Sequence, residues 1–139
     1  MPRLTRWFIK TALIYLVLAL LTGLIVAAGS SVEIPDPLAN LTPLYFQLLM
    51  AGWITQLIFG VANWMFPIFT REEPRRSPLL GWSVYILFNT GLLLHIIAEG
   101  GQTLGAFFVP SWSFWLAALL QFVAATAFVF NTWNRIKGH

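Results

Sequence analysis

The sequence predicts an all-α membrane protein: four transmembrane helices in one antiparallel bundle, with both termini on the cytoplasmic side. Three observations predict it. Hydrophobic residues make up 58% of the 139 residues and charged residues only 9%, against roughly 25% charged in an average soluble domain. A soluble fold would have too few polar residues to cover its surface. Second, apolar stretches about as long as a bilayer is thick alternate with segments rich in Pro, Gly and charge. Third, all eight Lys and Arg residues fall at the N-terminus, between 70 and 78, or at the C-terminus. Four spans put these segments on one side, and the positive-inside rule makes that side cytoplasmic. Glu33, Asp36 and Glu99 fall on the other side. Topology therefore accounts for the net charge of +3, and no nucleic-acid partner is expected. The expected location is the plasma membrane, with lipid as the constant partner. Cysteine is absent, which excludes disulfides, thiolate metal sites and cysteine nucleophiles.

The elements follow in order. Arg3, Arg6 and Lys10 precede an apolar run, and residues 8–29 read as the first helix. The run is about as long as a span, longer than the core of a cleaved signal peptide. Pro35, Pro37, Ser30 and Ser31 mark a loop. Pro43 suits a first helical turn, and the second helix is expected over 43–69, with Pro67 weakening its last turn. Residues 70–78 form a charged turn with two prolines. The third helix is expected over 79–99, broken by Gly100 and Gly101, followed by a short interfacial or re-entrant piece over 102–111. The fourth covers 111–133, and the basic tail from Asn134 to His139 is expected to fray. The whole chain is one domain. Trp7, Trp82 and Trp133 fall near the inner membrane boundary and Trp112 and Trp115 near the outer one, as aromatic belts do. Trp53 and Trp64 lie deeper and are expected to pack between helices.

Polar residues inside these spans need partners, because lipid offers none. Gly52, Gln56, Gly60 and Asn63 are spaced by four, four and three, so they share one stripe of the second helix. Such a stripe suits close helix packing with amides bonded across the interface, or the lining of a cofactor or proton path. Amides do not titrate, so the stripe performs no acid–base chemistry by itself. His95 is the histidine within a span, Glu99 lies one turn beyond it and Gly91 one turn before it. A glycine there lets a flat ligand or a second helix approach. His95 can ligate a haem iron, join a proton relay with Glu99, or make a structural hydrogen bond. A zinc site is not expected, because one His and one Glu fall short of the usual three or four ligands.

The run Gly52-Trp53-Ile54-Thr55-Gln56-Leu57-Ile58-Phe59-Gly60-Val61-Ala62-Asn63-Trp64-Met65-Phe66-Pro67 resembles a segment of the small four-helix membrane proteins related to subunit I of the haem-copper oxidases, of the cytochrome c oxidase and nitric oxide reductase type. The likeness is firm over this one helix and loose over the rest of the chain. In that family a His-x-His typically precedes the Gly-Trp. Here the equivalent positions hold Tyr45 and Gln47, so the ligands that the family places on this helix are missing. The resemblance implies neither oxygen reduction nor a copper site in this chain. It does imply haem b, ligated by the metal-binding residue His95, with one His95 from each chain of a homodimer as one arrangement.

Two functions stand side by side at this point. In the first, the chain binds haem b for electron transfer or redox sensing. Gly91 gives the macrocycle room, Phe88, Leu92 and Trp53 wall it, Glu99 adjoins the ligand, and Tyr45, Gln47 and Gln102 meet the propionates. In the second, the chain is a non-catalytic accessory subunit of a larger respiratory membrane complex, and the amide and glycine stripes are packing faces. A quinol-binding or transport role has less support, because the two halves show no internal repeat.

Overall fold

The computed structural model describes residues 2–29, 31, 38, 40–66, 77–105, 108–133 and 135–136. Among them are four helices long and apolar enough to cross a membrane: α1 (Arg3–Ala28), α2 (Thr42–Met65), α3 (Pro78–Leu104) and α4 (Trp112–Trp133). The described residues contain no strand. The fold is all-helical, as the composition requires of a chain that must satisfy its own backbone in lipid.

The helix ends differ from expectation in three places, each for a local reason. α1 begins at Arg3 rather than at residue 8. Arg and Lys are good helix formers, so the helix continues past the end of its apolar run, and the Arg6 amide donates to the Pro2 carbonyl at 3.2 Å. α2 stops at Met65, short of residue 69, because Phe66 is extended with φ −63° and ψ 144°. A residue that precedes proline avoids the helical region. The remainder of that expected helix, and the charged turn up to residue 76, lie outside the described residues. α3 runs straight through Gly100 and Gly101 to Leu104. Glycine lowers helix propensity by about 1 kcal/mol each, but leaving backbone groups unbonded in lipid is costlier. The helix ends instead at Gly105, whose φ of 61° is left-handed, the conformation glycine adopts most readily at a helix C-terminus. Residues 102–104 thus belong to α3 rather than to a separate interfacial piece.

The starts follow the sequence more closely. Pro43 lies in the first turn of α2. Ser77 caps α3, its hydroxyl oxygen accepting from the Leu80 amide at 3.2 Å, with Pro78 at the first helical position. α4 starts at Trp112, and the Ser113 hydroxyl donates to the Pro110 carbonyl at 2.7 Å. One feature of α2 has no counterpart in the expectations. From Leu48 to Thr55 its backbone is a π-helix, and the Thr55 hydroxyl donates five residues back, to the Met50 carbonyl at 2.9 Å.

α1 packs most extensively on α2, and α3 on α4. Asn63 reaches Thr5, Phe59 meets Phe8, and Gly52 and the Tyr45 ring lie against Tyr15 and Gly23. Residues later in α1 thus meet residues earlier in α2. Aromatic rings join the two helix pairs: Phe59 of α2 stacks on Phe128 of α4 at 4.1 Å and meets Phe88 of α3 at 5.4 Å. Helices in lipid associate through such dispersion contacts and close packing, since lipid tails remove the usual hydrophobic drive. Trp64 departs from expectation. It is 53% exposed rather than packed between helices, because its neighbour Asn63 takes the face toward α1.

Candidate functional site

Two groups of polar residues stand out in the spans. The larger group joins helices at three levels. At the first, the Asn63 amide nitrogen on α2 donates to the Thr5 hydroxyl on α1 at 3.3 Å. At the second, the Gln56 amide nitrogen donates to Asn89 Oδ1 on α3 at 2.9 Å, and Asn89 in turn donates to the Tyr85 carbonyl at 2.9 Å. The Tyr85 hydroxyl lies 2.7 Å from Thr11 Oγ1. Thr11 already donates its single hydroxyl proton to the Trp7 carbonyl, so Tyr85 is the donor in that contact. Polar contacts therefore link α1 to α3 through the Tyr85 hydroxyl, and α3 to α2 through Asn89. At the third level the Gln47 amide donates to Gln121 Oε1 on α4 at 3.3 Å.

The glycines of the stripe serve the same packing. A Cβ on Gly52 would lie 2.8 Å from the Tyr15 side chain, and one on Gly60 would lie 2.9 Å from Phe8 Cβ. The stripe on α2 is thus a packing face toward α1, with Gln56 reaching α3.

Arg135 is the residue that sequence reasoning missed. Expected in a frayed tail, it is only 1% exposed. Its guanidinium donates to the carbonyls of Asn63 and Phe66, at 3.2 and 2.8 Å. These belong to the last turn and cap of α2, where carbonyls lack intrahelical partners and the helix dipole favours a cation. A single arginine just past the end of an apolar run carries no sequence signal for this. The only hint is the early end of α2 that Pro67 imposes.

The second group is His95 and Glu99, both half-buried on α3. His95 touches Phe114 of α4 edge-on, with ring centroids 5.7 Å apart. Its ring nitrogens have no hydrogen-bond partner among the described residues. The other residues named with it lie elsewhere. Gly91 does admit a neighbour, and that neighbour is α4: an added Cβ would lie 2.9 Å from both the Ala117 carbonyl oxygen and Leu120 Cβ. Leu92 and Phe88 are buried in the core, Phe88 against Phe59. Tyr45 covers Gly23 of α1, and Gln47 bonds Gln121. Trp53 lies in the π-helical stretch, half-buried.

Among the described residues, Gly91, Phe88, Tyr45 and Gln47, all expected around a haem, are thus packed against other helices. A macrocycle at Gly91 would have to displace Ala117 and Leu120, and Tyr45 and Gln47 already have partners on α1 and α4. Among the described residues no three His, Cys, Asp or Glu side chains gather into a metal-holding group.

Comparison with known proteins adds no relative: no family model, no curated protein and no solved structure matches this chain.

Proposed function

We propose that the chain is a non-catalytic accessory subunit of a larger membrane complex. It would be a multi-pass protein of the cell membrane, an antiparallel bundle with both termini in the cytoplasm. One observation carries this reading: the amides of α2 and the glycines Gly23, Gly52, Gly60 and Gly91 are engaged in joining helices. The charge placement supports the topology, and the likeness of residues 52–67 to subunit I of the haem-copper oxidases suggests a respiratory complex as the setting. Native gel electrophoresis of mildly solubilised membranes tests it. The chain should migrate within an assembly far larger than its own mass, and migration as a free monomer or dimer would contradict the reading.

A second reading has a specific observation in its favour. Among the described residues, both ring nitrogens of His95 stay available at a half-buried position on α3. Two copies meeting along α3 would supply one histidine each to a haem b between them, for electron transfer or redox sensing. The bound haem would supply the redox chemistry, and the chain would supply the ligand and an apolar wall. An absorption spectrum with and without dithionite separates the readings, since only the second gives a Soret band that a His95→Ala variant loses.

A further inference from the structure

The N-terminal turns of α1 carry a cluster that neither reading uses. We propose that Arg3, Arg6, Trp7 and Lys10 bind the phosphodiester headgroup of an anionic membrane lipid, whose acyl chain lies along the same face of α1. These four residues line a cavity of about 280 Å³. At about 100° per residue they fall within an arc of about 100°, so they present one face. Arg3, Arg6 and Lys10 are exposed, and their side chains make no hydrogen bond or ion pair among the described residues. α1 contains no acidic residue, and its N-terminus has no side-chain cap. The positive end of the helix dipole therefore adds to these three cations. Trp7 is held in place: its ring leans on Tyr85 at 6.5 Å and its carbonyl accepts from Thr11.

The face beyond the cluster argues for a lipid rather than free phosphate. Ile14, Val17, Leu21 and Leu24 continue the same arc, and all four are exposed. From Lys10 to Leu21 the helix rises about 16 Å, close to the half-thickness of a hydrocarbon core of about 30 Å. A headgroup site thus opens onto an apolar track about one leaflet deep. Basic groups at this depth favour anionic lipids, and each contributes appreciably near the surface. The inference rests on α1 crossing the membrane and is independent of the accessory role.

Native mass spectrometry of the full chain, released from micelles doped with phosphatidylglycerol, phosphatidylcholine or inorganic phosphate, tests it. Phosphatidylglycerol adducts should persist and phosphatidylcholine adducts should not. Arg3→Gln with Arg6→Gln should weaken the anionic adduct about thirtyfold, as loss of two surface cations implies, while Arg75→Gln with Arg76→Gln leaves it unchanged. Circular dichroism confirms that the variants stay helical. Equal retention of both lipids, or equal loss in the two variant pairs, overturns the site. Displacement of the lipid by equimolar inorganic phosphate overturns the lipid assignment.

Discussion

Two regions of the bundle hold polar residues within the spans, and the chain treats them differently. On α2, Gln47, Gln56 and Asn63 each bond a side chain on another helix. On α3, His95 has one ring contact and no hydrogen bond among the described residues. The difference follows the chemistry of the side chains. An amide offers donors and an acceptor without a charge, so it joins helices in lipid at modest cost. An ionisable group in the same place marks function more often than packing. The α2 face therefore explains how the bundle holds together, and whatever activity the protein has is more economically sought at His95 and Glu99 or outside the chain.

Substitutions can break or sharpen this contrast, and all are read as unfolding free energy in detergent. Arg135→Met should have the largest effect, a loss of about 3 kcal/mol, because it strips two carbonyls at the end of α2 of charge-assisted bonds. Gly91→Ala should destabilise by about 2 kcal/mol, since its neighbour is the α4 backbone and has little freedom to give way. Gly100→Ala, on the same helix with nothing within 4 Å, should instead be neutral or stabilise by up to about 1 kcal/mol through helix propensity. An equal loss at both glycines would undo the packing account of α3 and α4. Gln56→Leu should cost about 0.6 kcal/mol, typical of one interhelical bond in a membrane protein. His95→Ala should change stability by less than about 0.5 kcal/mol. A loss at His95 larger than that at Gln56 would place His95 among the structural residues and erase the contrast.

The four spans were legible in the sequence because hydropathy and the placement of Lys and Arg act over whole segments and average out local exceptions. Single residues were less legible. Gly100 and Gly101 read as a break, yet in lipid the backbone keeps its helical bonds until Gly105 offers a left-handed exit. The π-helical stretch from Leu48 to Thr55 has no compositional mark. Arg135 looked like one of several basic tail residues, and its burial depends on carbonyls at the end of α2, far away in sequence. The α2 stripe was legible as a set of residues sharing a face. Which helix each member would meet was not, because helical spacing specifies direction and says nothing of the neighbour. For the same reason Gly91 could be recognised as a place of close approach before α4 was known to fill it.

The central claim is that the amides of α2 build the bundle and that His95 holds no pigment. Optical spectroscopy of the purified, full-length protein, before and after dithionite, tests this most directly. The account predicts no Soret band in either state. A Soret band that shifts on reduction and disappears in His95→Ala would contradict it and establish the haem reading in its place.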